Sequence, residues 1–177
     1  YDVLYHLDNV VTEFPRCNFF LVTRDGRVVT PDQHILHGIT RMRVLELARK
    51  EFPVEVRAVK LSEVFEAAEA FLTSTTKGVL PIVRVDDRVI GTGTPGPITV
   101  ALRERLEERE KDEIRRLYMD LKKLFQSDPT WSLYLVTTDK EFESFVFGKP
   151  ADRRRKLYNG RLEVTYYQYY GTKPPKA

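Results

Sequence analysis

Apolar and polar positions along the chain form short alternating runs, followed by one long helical stripe. Phe19 to Thr23 is β-prone, Arg24-Asp25-Gly26 is a turn, and Arg27 to Thr30 returns as a second strand. From Arg41 to Glu51, Val44, Leu45, Leu47 and Ala48 keep one broad apolar face, which predicts a helix stopped by Pro53. Val54 to Val59 alternates as a strand, and Ser62 is placed to cap a helix running to about Ala70. Val79 to Val85 and Arg88 to Ile90 read as a hairpin around Asp86-Asp87. Pro97 suits the first position of a long helix whose stripe is Ile98, Leu102 and Leu106. Seven consecutive charged residues, Glu107 to Glu113, interrupt that stripe, which resumes at Ile114, Leu117, Leu121 and Leu124. A long solvated helix is one reading of this stretch, and a junction between two segments of separate origin is the other. Beyond it, Trp131 to Thr137 is a predicted strand, Asp139 to about Val146 a short helix capped by Asp139, and Leu162 to Tyr170 a tyrosine-rich strand. Pro174-Pro175 reads as a loose tail, and no internal repeat or low-complexity tract is visible.

Composition and charge refine this picture. With 177 residues, 42% hydrophobic and 31% charged, the chain has the makings of one domain or two small ones. No apolar run is long enough for a membrane span and no signal peptide is visible, so a cytoplasmic, membrane-free location is expected. The first residue is Tyr rather than Met, which suggests a processed chain, a trimmed one or a fragment. A single cysteine, Cys17, rules out an internal disulfide and a cysteine-based structural zinc site. His6, His34 and His37 make no ligand spacing with it, so no metal is expected. Residues 1–110 hold 15 Lys/Arg against 17 Asp/Glu, a net of −2, whereas residues 111–177 hold 14 against 9, a net of +5. The balance changes inside the charged heptad, which favours the junction.

Three segments carry candidate chemistry. Gly38-Ile39-Thr40 precedes a helix, where open N–H groups and the helix dipole bind phosphate. The plain alternative is an ordinary glycine before a helix with Thr40 as N-cap. Thr73-Ser74-Thr75-Thr76 places four hydroxyls in a row, either as phosphate ligands or as a solvated loop. Glu13 is, on its local sequence, an ordinary exposed glutamate. Gly91, Gly93 and Gly96 also satisfy the spacing of a dinucleotide-binding loop. Pro95 and Pro97, however, remove N–H donors that a pyrophosphate would need, so this spacing reads as a turn.

Taken in order, these segments resemble the C-terminal large domain of the class IV, fold-type IV, pyridoxal-phosphate aminotransferases. The resemblance spans about residues 8 to 106. It rests on Val-Val-Thr-Glu at 10–13, Asn18-Phe19-Phe20, Thr30-Pro31, Leu36, Gly38-Ile39-Thr40-Arg41, the hydroxyl run, and the closing Gly91 to Pro97. It implies pyridoxal phosphate as cofactor, Glu13 as partner of the pyridine nitrogen, and Gly38, Ile39, Thr40, Ser74 and Thr75 as cofactor-binding residues. It also implies transamination between an amino acid and a 2-oxo acid. Phe14-Pro15-Arg16-Cys17 departs from the family's small, serine-rich run. The family's Schiff-base lysine lies well upstream of the glutamate, and only twelve residues precede Glu13 here. No catalytic residue is therefore assigned, and the chain alone is expected to be inactive. Lys77 adjoins the hydroxyl loop without a reason to reach the cofactor.

The tail, about residues 114 to 177, resembles the C-terminal end of class I S-adenosylmethionine-dependent large-subunit ribosomal RNA methyltransferases. The matching segments are Trp131 to Thr137, Phe142-Glu143, Phe147 to Asp152, Arg155 to Gly160 and Tyr166 to Tyr169. That family's Gly-rich cofactor loop has no counterpart here. What the tail offers is a basic and aromatic surface. Arg153, Arg154, Arg155 and Lys156 are candidate RNA-phosphate contacts, and Tyr158, Tyr166 and Tyr169 candidate stacking groups. The alternative is a solvated basic turn with tyrosines packed in a sheet. The expected fold is mixed α/β: an incomplete class IV aminotransferase large domain (1–106), a charged junction (107–113), and a small β-α-β element from a Rossmann-like end (114–177). Its expected partners are an amino acid and a 2-oxo acid, with RNA as the alternative and an oligomer admitted.

Overall fold

The computed structural model describes residues 2–172. The predicted Pro174-Pro175 tail lies outside the described residues. The chain divides into two compact units, Tyr1–Glu110 and Lys111–Ala177.

In the first unit, β1 (His6–Leu7) and β2 (Val10–Val11) form a hairpin turned by Asp8 and Asn9, both at positive φ. Next come β3 (Glu13–Phe14), β4 (Cys17–Val22), β5 (Val28–Thr30) and the helix α1 (Ile39–Ala48). They are followed by β6 (Val54–Val56), β7 (Val59–Lys60), the short helix α2 (Leu61–Glu66), β8 (Glu69–Ser74) and β9 (Gly78–Ile82). A small hairpin of β10 (Arg84–Val85) and β11 (Arg88–Val89) precedes the helix α3 (Pro97–Ser127). The main sheet has the order β6-β5-β4-β8-β9. It is antiparallel except for the parallel β5·β6 pair, and β3 is hydrogen-bonded to β4 at Asn18 and Cys17. A second sheet, β1-β2-β7, is built from the short strands.

Alternation along β4 and β8 sorts the core into two layers. Phe20, Val22 and Phe71 face α1 and the start of α3, where Val44, Leu45, Ala48, Leu102 and Leu106 complete one cluster. Phe19, Leu21, Ala70 and Leu72 face the other way, onto Val11, Val59 and Val64. Phe20 and Phe71 stack across the ladder with centroids 4.8 Å apart, a pairing worth about 1 kcal/mol beyond its buried area.

Several elements depart from the sequence pattern. The helix expected over 41–51 is α1, two residues earlier at its start and three at its end. The single strand expected over 54–59 bends at Arg57 and splits between two sheets, because Arg57 turns to bridge Glu55 and Glu63. The helix expected from Ser62 to Ala70 stops at Glu66, and Glu69 already begins β8. Ala70 and Leu72 belong to one sheet face and Phe71 to the other, a period of two that local helix propensity obscured.

α3 runs unbroken through the charged heptad. Within the heptad Arg109 reaches Glu46 at 2.7 Å and Glu110 lies 3.8 Å from Arg43, and Arg105, just before it, reaches Glu51 at 2.9 Å.

In the second unit, β12 (Leu133–Thr137), a π-helical turn (Phe142–Phe147), β13 (Arg153–Asn159) and β14 (Leu162–Tyr169) follow the end of α3. The sheet order is β12-β14-β13, antiparallel throughout. β12 and β13 thus point the same way with β14 between them, and the segment that joins them carries a π-turn rather than an α-helix. The helix expected from Asp139 is the π-turn, and Asp139 accepts a bond from the Glu141 N–H at 2.8 Å. One sheet face carries Leu133, Leu135, Tyr167 and Tyr169, which pack with Tyr118, Phe125, Phe142, Val146 and Phe147. Burial pushes the Tyr169 phenol up to about 12. Of the resumed stripe Ile114, Leu117, Leu121 and Leu124, Leu121 is half-buried and the other three are exposed, and α3 packs here through Tyr118 and Phe125.

Candidate functional site

The polar end of the α1-facing sheet layer is built by register. Glu13 on β3 pairs with Asn18 on β4, and Asn18 pairs with Thr73 on β8. Directly opposed residues project to one face, so the three side chains form a row. Asn18 is its hub. Its Nδ2 donates to Glu13 Oε2 at 2.9 Å and to the Leu36 carbonyl at 2.7 Å. The Leu36 N–H also donates to Glu13 Oε2, at 2.9 Å. Both bonds fall on one carboxylate oxygen, which leaves Oε1 for a further donor.

The same hub sets the start of α1. A Cβ on Gly38 would overlap Asn18 Oδ1, so this position needs glycine for close approach. Gly38, not Thr40, is the N-cap, and it offers no side-chain cap; no acidic residue sits in the first turn. The first N–H groups of α1 have no intrahelical acceptor, and among the described residues no side-chain cap is bonded to them. Ile39 is exposed, and Thr40 is buried at the second helical position.

The hydroxyl run is divided between strand and turn. Thr73 is buried in β8, and its Oγ1 has no partner among the described residues. Ser74 ends the strand and accepts the Lys77 N–H at 3.2 Å, closing the turn. Thr75 and Thr76 are exposed in that turn. Glu13 and Gly38 therefore meet at Asn18, Ile39 and Thr40 follow Gly38 in the first turn of α1, and Ser74 and Thr75 follow Thr73 at the end of β8 and in its turn. Sequence reasoning missed Asn18 as hub, Leu36 as backbone donor and Thr73 as the orphaned hydroxyl. Asn18 was visible as a polar residue heading a strongly apolar run.

Two neighbouring features have structural explanations. Arg41 is buried and donates to the Pro31 carbonyl at 2.9 Å, and burial lowers its guanidinium below the usual range. The dinucleotide-like glycines are packing positions. A Cβ on Gly91, at φ +56°, would strike the Ala68 carbonyl, and one on Gly96 would strike the Glu69 carboxyl group. Glu69 accepts from the N–H groups of Ile98 at 3.1 Å and Thr99 at 2.7 Å. A buried side chain thus fills the α3 N-terminus, where a pyrophosphate would sit.

The family model for amino-transferase class IV matches residues 1–85. Over these residues the chain is similar to the class IV amino-transferases. A Thermotoga maritima protein named as a probable branched-chain-amino-acid aminotransferase is 45% identical over 111 residues, covering 60% of this chain and 40% of that protein. The branched-chain amino acid aminotransferase from Thermobaculum terrenum, solved in its PLP-bound holo form, superposes with a TM-score of 0.57 at 37% identity, covering 60% of this chain and 36% of that one. The chain thus spans about two fifths of the length of these relatives. A Bacillus subtilis protein, YpsC, by name an RNA methyltransferase, is 34% identical over 67 residues, which is 38% of this chain and 17% of that protein.

Arg153 to Lys156, expected as a basic turn or a single basic cluster, form a strand instead. Arg154 pairs with Glu143 at 2.9 Å and Lys156 with Glu163 at 3.1 Å, while Arg153 and Arg155 project from the opposite sheet face. Tyr169, expected as a stacking group, is fully buried. Among the described residues no group of His, Cys, Asp and Glu is placed to hold a metal, and no helix is long and apolar enough to cross a membrane.

Proposed function

We propose that the first unit supplies the ring-nitrogen and phosphate side of a pyridoxal 5'-phosphate site for transamination between an amino acid and a 2-oxo acid. The carrying observation is Glu13, fixed through Oε2 by Asn18 and Leu36 and open at Oε1, beside an uncapped helix start. The residues fit the group. A carboxylate with one free oxygen suits a protonated ring nitrogen, and open N–H groups at the start of a ten-residue helix suit a phosphate. Thr73 Oγ1 is a buried hydroxyl in want of a partner in the same row. The cofactor, when bound, supplies an electron sink for carbanion character at the amino-acid α-carbon.

The chain's own part is electrostatic. Glu13 holds a proton on the ring nitrogen, and the Asn18 and Leu36 bonds keep its carboxylate aimed. Ile39, Thr40 and the α1 dipole hold the phosphate, with Ser74 and Thr75 as candidates on its other side. Lys77 is not suited to attach the cofactor. Its Nζ is bonded to Asp2 at 2.6 Å, and this bond raises its pKa and holds it protonated. No lysine is assigned to attach the cofactor, so what is proposed for this chain is binding of the group.

Pyridoxamine 5'-phosphate tests this reading, because its binding does not require a lysine bond. Calorimetric titration should give saturable binding that Glu13→Gln weakens about tenfold. Equal affinity of the two proteins would remove Glu13 from the site. Keto-acid production by this chain that is lost on Lys77→Ala would overturn the exclusion of Lys77.

A further inference from the structure

The second unit's sheet has two free edges of opposite character. β14 lies between β12 and β13, and among the described residues no strand pairs with the outer side of either. β13 begins with Arg153-Arg154-Arg155-Lys156. Four cations on an edge strand repel a second copy of it, a common protection of open edges. β12 is Leu133-Tyr134-Leu135-Val136-Thr137, with no charge, proline or glycine. Among the described residues its outer edge therefore offers a row of N–H and C=O groups to another strand.

The helix beside that edge is only half covered. Tyr118 of α3 is hydrogen-bonded to Thr137 of β12 at 2.6 Å, and Phe125 packs on Phe147 and Tyr169. Lys122 donates to the Val146 carbonyl at 2.8 Å and Arg115 lies 5.1 Å over the Phe145 ring, so a second side of α3 meets the π-turn. The π-turn itself reaches towards β13, where Arg154 donates to Glu143 at 2.9 Å. At about 100° per residue, Ile114, Leu117 and Leu124 lie on the side of α3 turned from the π-turn, which is the side of β12's free edge. Leu117 is 65% exposed and Leu124 53% exposed. An open strand edge and an uncovered apolar strip thus border each other. Their joint complement is a strand that extends the sheet and carries an apolar helix beneath it.

β12 with its helix is such a complement to itself. Antiparallel pairing of two copies about Leu135 sets Tyr134 opposite Val136 of the second copy, an aromatic–β-branched pair made twice by symmetry. On the covered face Leu135 meets Leu135 and Leu133 meets Thr137, and no charge opposes another along the strand. A two-fold axis perpendicular to the sheet keeps the helices of both copies on one face, so the exposed strips of α3 meet over the seam. We propose that β12 pairs with β12 of a second copy of the chain, joining two three-stranded sheets into one of six. The charged β13 edges then lie outermost, where they stop further growth. This interface is independent of the cofactor reading for the first unit.

Sedimentation equilibrium of the full chain is the test. A reversible monomer–dimer equilibrium is expected, with no larger species, because a two-fold seam closes on itself. Tyr134→Lys with Val136→Lys sets like charges opposite each other and should weaken the dimer at least about tenfold. Tyr134→Glu with Val136→Lys sets each Glu opposite the other copy's Lys and should keep the dimer within about threefold of wild type. Leu117→Glu, on the exposed strip of α3, should weaken it about tenfold without touching either strand. Arg153→Gln with Arg155→Gln, on the far edge, should leave it unchanged. Circular dichroism of each variant identifies loss of fold, and should the double-lysine variant unfold, Leu117→Glu decides. A wild-type chain that stays monomeric at about 100 μM overturns the proposal. So do assemblies beyond the dimer, or equal weakening by the Lys/Lys and Glu/Lys pairs. A dimer that both the double-lysine variant and Leu117→Glu leave intact would place self-association elsewhere on the chain and overturn it as well.

Discussion

Two helices in the first unit begin in ways that look alike in sequence and differ in chemistry. α1 follows Gly38 and α3 follows Gly96, and each glycine is required because a side-chain atom sits where a Cβ would be. At α3 that atom belongs to Glu69, whose carboxylate takes the Ile98 and Thr99 N–H groups. At α1 it is Asn18 Oδ1, while the Nδ2 of the same amide donates to Glu13 and Leu36, and Gly38 provides no side-chain cap. A glycine before a helix is therefore no sign of an anion site by itself. What decides is whether the protein has already supplied the anion.

The largest expected effect lies at the closed end. Gly96→Ala would drive a methyl group into the Glu69 carboxyl group, and either the carboxylate or the α3 backbone must move. A loss of about 3 kcal/mol is expected, read from the urea midpoint of the first unit's helical signal. A midpoint equal to wild type would mean that Glu69 leaves the helix end at no cost. Glu69→Ala should cost about 2 kcal/mol, because two buried N–H groups lose their acceptor. Neither change should alter affinity for pyridoxamine 5'-phosphate in protein that remains folded, since the phosphate is assigned to the other helix.

How much of this contrast was legible in the sequence depends on the reach of each interaction. The stripe Ile98, Leu102 and Leu106 was readable because helical periodicity is local, and Leu102 and Leu106 are fully buried. Glu69 was not. Its partners lie 29 and 30 residues ahead, and its neighbours favour a helix that the sheet overrides. Glu13 and Gly38-Ile39-Thr40 were singled out by resemblance, but the side chain that joins Glu13 to Gly38 was not, because Asn18 acts through strand register that only the folded sheet fixes. The run Thr73 to Thr76 was conspicuous by composition. Which hydroxyl is orphaned depends on strand phase, and Thr73 rather than Ser74 or Thr75 is the buried one. The stripe Ile114, Leu117 and Leu124 shows the converse: a correct period predicted burial that this chain does not provide.

At the open end a glycine substitution should act on binding more than on stability. The obstacle to Gly38→Ala is the end of a flexible side chain, so Asn18 can swing aside for about 1 kcal/mol. Doing so breaks its bonds to Glu13 and Leu36, and affinity for pyridoxamine 5'-phosphate should fall about tenfold. Unchanged affinity at reduced stability would show that the Asn18 hub is structural only.

The smallest effect on stability gives the sharpest test of the comparison, because it converts one helix end into the other. Ile39 is exposed at the first position of α1, and no acid lies in the first turn. Ile39→Asp supplies a carboxylate where α3 has Glu69. It should stabilise the unit by about 0.5 kcal/mol through the helix dipole, seen as a small rise in the urea midpoint. The same charge should repel a phosphate at that end, so pyridoxamine 5'-phosphate binding should weaken by at least about tenfold, and added salt should recover part of the loss. Stabilisation with unchanged binding would place the phosphate away from α1 and leave Glu13 as an ordinary half-buried hydrogen-bond acceptor. Loss of both stability and binding would mean that the α1 start is not open and that its N–H groups already have acceptors. Only a gain in stability together with a loss of binding fits a helix end kept free for a ligand.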